Sequence, residues 1–190
     1  MSELAFYRIG QDPEIEAIRL QQLYTNEGID ERVVDEFGSS VDLYRTLSIH
    51  EIEERLRVRY SGETPLVYGA IGTYRSIDFG MAIWGVKDYQ KTETDGSSRW
   101  YDGVNVSAWV LRQYRGMDLG TALIGFATTE AVALTHVQHN TGTYGMQIWT
   151  SIHGSNKPSQ RACEHAGFVR VGEQADKNGR FIYELHSDEI

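Results

Sequence analysis

Residues 110–123 are Val110-Leu111-Arg112-Gln113-Tyr114-Arg115-Gly116-Met117-Asp118-Leu119-Gly120-Thr121-Ala122-Leu123, and they are the most informative part of this chain. The segment that leads into them, 104–110, is rich in β-branched and aromatic residues, which predicts a strand. After this strand, Gly116 and Gly120 allow the backbone to turn sharply and to approach a ligand closely. The apolar residues after the loop recur at helical spacing, which predicts a helix with one buried face. They are Leu119, Leu123, Phe126, Ala127 and Leu134.

This loop has the chemistry of a phosphate site. A loop that leads into a helix collects N–H groups without intrahelical partners at the positive end of the helix dipole, and both features favour a phosphate group. Arg112 and Arg115 add positive charge beside it. The same residues are also compatible with an ordinary strand-to-helix turn, because the segment matches neither the dinucleotide fingerprint nor the P-loop pattern.

A second segment predicts a strand, a short helix and another strand. Residues 146–152 have the composition of a strand. Asn156 can cap the helix after it, Pro158 lies within the first turn of that helix, and Gly167 ends it. Residues 168–171 then begin a further strand.

Taken together and in this order, the two segments resemble the GNAT superfamily of acyl-CoA-dependent N-acyltransferases. Arg115–Gly120 resembles its pyrophosphate loop, Arg/Gln-x-x-Gly-x-Gly/Ala, and Asn156, Ser159, Gly167 and Phe168 resemble its Asn-x-x-Ser/Ala helix that ends in Gly-Phe. The second segment is most similar to the branch that acetylates the N-termini of ribosomal proteins. The resemblance implies an α/β (α+β) fold with a mixed, mostly antiparallel central sheet, splayed central strands and flanking helices.

The resemblance also implies a function. Acetyl-CoA is the implied cosubstrate, without a metal, and the implied acceptor is a primary amine on a small molecule or at a peptide N-terminus. The acetyl group would pass to the amine by direct attack in a ternary complex. The residues implied to bind the cofactor are Val110, Leu111, Arg112, Arg115, Gly116, Met117, Asp118, Leu119, Gly120, Thr121, Asn156 and Ser159. The alternative is a non-catalytic module of the same fold that binds acyl-CoA or a partner protein.

Two residues depart from the family pattern. Asp118 stands where the family usually has a glycine, and its carboxylate could oppose the pyrophosphate or could cap the following helix. Cys163 stands where many relatives carry a tyrosine that protonates the leaving thiolate, so the general acid cannot be transferred from the family. Because no paired base is evident for it, we expect Cys163 to be a small buried residue rather than a nucleophile.

Two residues are candidates for the general base. His153 follows the second predicted strand, and imidazole exchanges protons near neutral pH. Asp102 precedes the first strand and is the other candidate, acting directly or through water. A surface-loop histidine and a solvated turn aspartate are the plain alternatives. Backbone N–H groups near Val110 are expected to stabilise the oxyanion, because a splayed strand leaves them unpaired.

Composition limits the remaining classes of function. A chain of 190 residues with 41% hydrophobic content predicts a single domain over residues 1–190. The formal net charge of −9 argues against nucleic-acid binding and favours a cationic acceptor. No apolar run has the length of a membrane span, and the single cysteine favours a reducing cytoplasm. The expected state is a monomer or a homodimer.

The rest of the chain gives expectations for single elements. The four tryptophans lie in or beside predicted strands, which favours core packing. The first predicted elements are a strand at 5–9, a helix from Asp12 to Gly28 and a helix with a capping box from Ser48 to Tyr60. Strands are then predicted at 66–74 and 77–87, joined by a turn at Arg75 and Ser76 and followed by a polar surface loop at 91–98. The last predicted elements are a turn at Lys177-Asn178-Gly179 and a strand at 181–186.

Overall fold

The structure is a computed structural model that describes residues 3–26, 46–60, 67–92, 96–139, 146–172, 175–176 and 178–185. These residues form helices, strands and one 3-10 turn at Arg112–Tyr114. The helices are α1 (Pro13–Thr25), α2 (Ile49–Tyr60), α3 (Leu119–His139) and α4 (Lys157–His165). The strands are β1 (Leu4–Arg8), β2 (Val67–Tyr74), β3 (Ile77–Val86), β4 (Tyr89–Thr92), β5 (Ser98–Tyr101), β6 (Gly103–Val110), β7 (Gln147–His153), β8 (Phe168–Val171) and β9 (Arg180–Leu185).

Seven of the strands form one sheet in the order β1-β2-β3-β6-β7-β9-β8, and β4 pairs with β5 in a separate two-stranded sheet. The pairs β1–β2, β7–β9 and β8–β9 are antiparallel, whereas β6 and β7 are parallel. The β6–β7 register covers only Gly103–Asn105 and Gln147–Trp149, although both strands continue beyond it. The predicted fold class, a mixed and mostly antiparallel sheet with helices, is confirmed.

The chain packs as two compact units. The first contains Met1–Ile83 and Ala108–Leu123, and the second contains Trp84–Ser107 and Ile124–Ile190. The single domain over residues 1–190 stays a prediction. Among the described residues, no helix combines the length and the apolar composition that crossing a membrane requires.

Each unit has its own buried residues. In the first unit, apolar side chains of α1 and α2 pack against the strands; this cluster comprises Ile9, Ala17, Leu20, Leu23, Tyr24, Ile52, Leu56, Ile71, Met81, Ile83 and Leu111. In the second unit, the buried side chains include Trp84, Val104, Val106, Ile124, Trp149, Phe168 and Tyr183. Burial on this scale is what stabilises each unit, because apolar area removed from water is the main favourable term in folding.

The predicted helix starts at Asp12 and Ser48 are confirmed. Asp12 Oδ1 accepts a hydrogen bond from the Ile15 N–H group at 3.2 Å. The Ser48 N–H group donates to Glu51 Oε2 at 2.7 Å and the Glu51 N–H group donates to Ser48 Oγ at 3.3 Å, which is a complete capping box. Ser48 Oγ also donates to Glu51 Oε2 at 2.7 Å, and this hydrogen bond, followed by the one from the Ser48 N–H group, lowers the pKa of Glu51.

The segment 91–98 is predicted as a polar loop, and the structure places only its two ends in strands, whereas residues 96 and 97 lie outside them. β4 extends to Thr92 and β5 begins at Ser98, with Thr92 and Ser98 paired in the register. Strands of four residues are too short to establish a period-two pattern in the sequence. Residues 93–95 lie outside the described residues, as do Gly28, Leu66, Lys177 and His186, at which other element boundaries are predicted.

Candidate functional site

The loop between β6 and α3 is anchored at its start in the first unit. Leu111 is 1% exposed, and its N–H group donates to the carbonyl of Phe79 at 2.8 Å. The 3-10 turn after it places the Tyr114 ring 6.3 Å from the Phe79 ring. The N–H groups of Tyr114 and Arg115 donate back to the carbonyls of Leu111 and Arg112. The backbone of the loop is therefore fixed, while most of its side chains from Arg112 to Asp118 are exposed.

The two glycines of the loop differ in backbone conformation. Gly116 has φ +79°, a conformation that side chains rarely adopt, and nothing lies within 4 Å of a Cβ built there. Gly120 lies in the first turn of α3 with no such backbone demand. A Cβ at Gly120 would meet Val110 Cγ2 at 3.6 Å, which is an ordinary contact. The protein itself therefore has room for a methyl group at Gly120, so packing does not explain this glycine.

Asp118 is the N-cap of α3 by its backbone and not by its side chain. The Ala122 N–H group donates to the Asp118 carbonyl at 3.1 Å, which is the first α-helical hydrogen bond. Asp118 has φ +56° and is exposed. Within the described part of the chain, no hydrogen bond joins its carboxylate to the first turn. The N–H groups of the residues from Leu119 to Thr121 precede the first intrahelical bond and face no capping side chain there.

Two exposed arginines stand beside these N–H groups in sequence. Arg112 lies in the 3-10 turn, and Arg115 Nε donates to the Val110 carbonyl at 3.2 Å. Together with the dipole of α3, they give the loop a positive character in a chain of net charge −9. The single carboxylate of Asp118 offsets part of it. Chemically, this arrangement can hold an anion such as a phosphate.

In the second unit, α4 begins as predicted. Asn156 Oδ1 accepts from the Ser159 N–H group at 3.3 Å, so the asparagine is the N-cap of the helix. Gln160 is buried and its Nε2 donates to the carbonyls of His153 and Gly154, at 3.2 and 3.0 Å. The structure thus brings His153, Asn156 and Ser159 into one compact turn at the end of β7.

Cys163 lies on the buried side of α4. It is 1% exposed, and burial, with a smaller contribution from Glu164, raises the pKa of its thiol to about 12. Near neutral pH the thiol is therefore protonated and shielded from reagents. A thiolate nucleophile is not available at this position under those conditions.

His153 is exposed, and its ring is held by the adjoining loop. Nδ1 accepts a hydrogen bond from the Ser155 N–H group at 3.2 Å and lies 2.8 Å from Ser155 Oγ. An Nδ1 that accepts from an N–H group carries no proton, so Nε2 carries the proton of the neutral ring. The lone pair that would receive a substrate proton is therefore engaged with Ser155. A base role for His153 requires this contact to open.

Asp102 lies far from His153. Asp102 is exposed, and its carbonyl accepts a hydrogen bond at 3.2 Å from the N–H group of Gln147, the first residue of β7. His153 is at the other end of that seven-residue strand, which is about 20 Å long at ~3.3 Å per residue. The two residues cannot act on the same amine, so they are alternative bases and not partners.

The tryptophans occupy different environments. Trp84 and Trp149 are buried, as strand positions predict. Trp100 is 71% exposed on β5, so the prediction of core packing is wrong for it. Trp109, in β6, is partly buried against the core cluster of the first unit. Its indole Nε1 is buried and has no hydrogen-bond partner among the described residues, and nothing in the sequence distinguishes it from the other three.

This chain resembles known proteins in its structure but not in its sequence. No protein-family model matches the chain, and no curated protein matches its sequence. A chimera of the spermidine N-acetyltransferase SpeG from Vibrio cholerae and hSSAT matches with a TM-score of 0.60 at 13% identity, over 99% of this chain and 98% of that chain. The ribosomal-protein α-N-acetyltransferase RimL, solved with coenzyme A, matches with a TM-score of 0.61 at 11% identity, over 97% and 94% of the two chains.

A third solved structure is an acetyltransferase of the GNAT family from Streptococcus pneumoniae. It matches with a TM-score of 0.58 at 14% identity, over 96% of this chain and 98% of that chain. The three matches extend over almost the whole of each chain. They do not single out the ribosomal branch that the second sequence segment favours. At these identities the likeness establishes the fold.

Proposed function

We propose that this chain, which has the fold of the GNAT acetyltransferases, binds acetyl-CoA and transfers its acetyl group to a primary amine. The acceptor is a small molecule or a peptide N-terminus. The observation that carries the proposal is the β6–α3 loop, in which a fixed backbone leads into a helix N-terminus that no described side chain caps, beside two exposed arginines. Coenzyme A presents a pyrophosphate, and such a loop offers it several N–H donors and positive charge at once.

The proposed cofactor contacts derive from this geometry. The N–H groups from Leu119 to Thr121 donate to the pyrophosphate, and the glycine at 120 lets it approach the backbone. Arg112 and Arg115 supply charge, while the buried side chains of Leu111 and Leu119 hold the loop in place. Val110, Gly116, Met117 and Asp118 belong to the same segment. Asn156 and Ser159 remain proposed cofactor residues on the ground of the resemblance.

The proposed reaction is a direct transfer. The neutral amine attacks the thioester carbonyl carbon, the tetrahedral oxyanion collapses, and the thiolate of coenzyme A leaves and is protonated. One base must remove a proton from the amine, and His153 or Asp102 is proposed for this role. Backbone N–H groups near Val110 are proposed to stabilise the oxyanion. Cys163 takes no covalent part, because its thiol stays protonated near neutral pH.

Binding of acetyl-CoA to the loop is tested with a matched pair of glycine variants on α3. In Gly120→Val the branched side chain occupies the path of the pyrophosphate to the backbone, whereas the family pattern accepts alanine at this position, so we expect affinity to fall about tenfold or more while the fold is kept. In Gly125→Val the added Cβ enters open space, so we expect unchanged affinity and a gain in stability of about a few tenths of a kcal/mol. Titration calorimetry measures the affinity and urea unfolding measures the stability. Wild-type affinity in Gly120→Val would show that the cofactor binds elsewhere.

Transfer itself is tested by release of free coenzyme A thiol from acetyl-CoA in the presence of amine and peptide libraries. We expect release that depends on the acceptor and obeys ternary-complex kinetics. Acetyl-CoA binding without turnover of any acceptor would instead support the non-catalytic module. An acetylated Cys163 trapped by mass spectrometry, with ping-pong kinetics, would contradict direct attack.

A further inference from the structure

An open groove lies in the first unit, between α1 and the strands β1, β2 and β3. Its volume is about 870 Å³, which is within the range of sites that bind small organic molecules. Side chains of all four elements line it, and every described lining residue belongs to the first unit. None of these described residues is among those proposed above to bind acetyl-CoA or to act as the base. The proposed function therefore leaves the groove unassigned.

One wall of the groove already holds a cation of the protein itself. The Arg19 guanidinium lies over the Tyr7 ring, 4.4 Å from its centroid. Its Nε and Nη2 donate to the two carboxylate oxygens of Asp78 at 2.9 and 2.5 Å, and Thr73 Oγ1 donates to the same carboxylate at 2.9 Å. Aromatic faces and carboxylates are groups that bind organic cations. Because two nitrogens of a largely buried guanidinium hold the carboxylate, we expect Arg19 to stay in place.

Glu3, which also lines the groove, is held much more loosely. Arg75 reaches its carboxylate with a single nitrogen, Nη2, at 3.2 Å from Oε1 and 3.3 Å from Oε2. The Tyr74 hydroxyl donates to Oε2 at 3.2 Å. The Arg75 and Glu3 side chains are 64% and 57% exposed, and an exposed ion pair of this kind contributes little stability. A cationic ligand can therefore replace Arg75 at Glu3 at small cost.

The turn that carries Arg75 is strained. Arg75 and Ser76 have φ +51° and +66°, left-handed conformations that glycine, asparagine and aspartate adopt more readily. Strain of this kind is often found at ligand-binding sites, where the surrounding structure maintains it. The Arg75 N–H group donates to the Glu3 carbonyl at 2.7 Å, which fixes the turn to the residue whose carboxylate lines the groove. The strained turn thus holds a replaceable arginine at Glu3.

We propose that this groove binds a small organic amine, with its ammonium group at Glu3 and its apolar body on Tyr7 and Ile77. The positive charge of the ligand follows from the lining: Arg19 balances Asp78 within the wall, so Glu3 is the charge that a ligand has to match. The apolar body follows from the exposed side chains, since Tyr7 is 50% and Ile77 is 57% exposed and both line the groove. This site is separate from the acetyl transfer proposed above and does not depend on it.

The test titrates three probes of similar shape into the full chain without acetyl-CoA: phenethylammonium, the neutral 2-phenylethanol and the anionic phenylacetate. The reporter is the Tyr7 ring resonance in protein with ¹³C-labelled tyrosine, assigned by its loss in Tyr7→Phe. We expect a saturable shift with the amine, and a Kd at least about threefold higher for the alcohol and the anion, because only the amine can pair with a carboxylate. No shift with the amine, or binding of the alcohol or the anion as tight as that of the amine, would overturn the inference.

Two variants should change the affinity for phenethylammonium in opposite directions. Glu3→Gln removes the carboxylate that receives the ammonium group, so the Kd should rise about threefold to fivefold, the effect that one exposed ion pair supports. Arg75→Asn removes the competing cation and keeps the left-handed turn accessible, so the Kd should fall by a similar factor. Glu54→Gln and Arg57→Gln are the matched controls, because they remove the same charges from exposed side chains of α2, and they should leave the Kd unchanged. Equal changes in a variant and its control would overturn the inference.

The same measurements separate this inference from the proposed function. The Tyr7 reporter and the substituted residues lie at the groove, so the titration does not depend on acetyl transfer. If no acceptor is acetylated and the Tyr7 resonance responds as expected, the proposed transfer fails and the amine site stands. If transfer occurs and the Tyr7 resonance does not respond to the amine, the inference fails alone.

Discussion

Asp118 has a left-handed backbone conformation that glycine adopts without cost and that aspartate tolerates better than most residues. This explains how an aspartate can occupy a position where the family pattern has glycine without breaking the start of α3. Its carboxylate is exposed, and it makes no capping hydrogen bond to any of the described residues. Of the two roles considered from the sequence, opposition to the pyrophosphate is therefore the one to test.

For Asp118 we expect removal of the charge to tighten acetyl-CoA binding. Asp118→Gly and Asp118→Asn both keep the left-handed backbone accessible, so a shared gain isolates the charge from the backbone. The gain should reach about 1 kcal/mol at low salt and shrink as salt screens the exposed carboxylate. Calorimetry at two salt concentrations measures it. A tenfold loss of affinity in either variant would mean that the carboxylate takes a direct part in binding.

Cys163 gives a second prediction at this scale. Because burial raises the pKa of its thiol to about 12, the native protein should not react with Ellman's reagent at pH 8, and unfolding in guanidinium should expose one reactive thiol. The unfolded thiol ionises near its ordinary value of about 9 while the folded thiol does not. The protonated form is thus favoured in the folded state, and this group removes stability as pH rises above about 9. Rapid labelling of the native protein at pH 8 would contradict this account.

At the scale of elements, the turn between β1 and α1 depends on one buried carboxylate. Glu16 is 6% exposed, and it accepts hydrogen bonds from the N–H groups of Gly10, Gln11 and Asp12 at 2.7, 2.9 and 3.0 Å. These bonds satisfy donors that precede the first turn of α1 and fix the angle at which β1 leads into the helix. The helix that contributes Arg19 to the groove is positioned in this way.

Glu16→Gln should therefore destabilise the protein by about 1–3 kcal/mol, because an amide replaces an acceptor by a donor that faces other donors. Glu14→Gln is the matched control, since Glu14 is exposed in the same first turn and its loss removes a similar favourable interaction with the helix dipole. We expect Glu14→Gln to lower the free energy of unfolding by only about 0.3–1 kcal/mol. Urea unfolding of both variants decides the point, and equal losses would show that only the helix dipole is involved.

The elements also show which parts of the fold the sequence reveals. The segment from β6 through α3 and the segment from β7 to β8 are predictable because their caps and glycines mark both ends of long periodic patterns. β4 and β5 are not predictable in the same way, since four-residue strands carry no clear period. Besides the backbone pairing of the two strands, side-chain contacts such as the stacking of the Tyr89 ring on the rings of Tyr101 and Trp149 hold this sheet. Such contacts join residues that are distant in sequence and leave no local pattern.

Across the whole molecule, the sequence indicates which residue types form the candidate site. It does not indicate where their side chains lie or which hydrogen bonds they make. The loop from Val110 to Thr121 is identifiable because its chemistry depends on backbone and glycine positions, which the sequence shows. The engagement of His153 Nδ1 with Ser155, the separation of His153 from Asp102, and the unpaired Trp109 N–H group each depend on three-dimensional positions of side chains. The spacing of residues in a sequence does not indicate whether a given hydrogen-bond donor has an acceptor in the folded protein.

The net charge of −9 gives a last prediction that belongs to the whole chain. A negative protein attracts a cationic amine and repels anionic acetyl-CoA at long range, whereas Arg112 and Arg115 attract the cofactor locally. Raising the ionic strength from about 0.01 to 0.3 M shortens the Debye length from about 30 Å to less than 10 Å. We expect kcat/KM for a cationic acceptor to fall several-fold. For acetyl-CoA the change should be smaller, because screening weakens a long-range repulsion and a local attraction together. Steady-state kinetics in sodium chloride measure both, and an acceptor kcat/KM that does not depend on salt would show that the net charge has no part in acceptor capture.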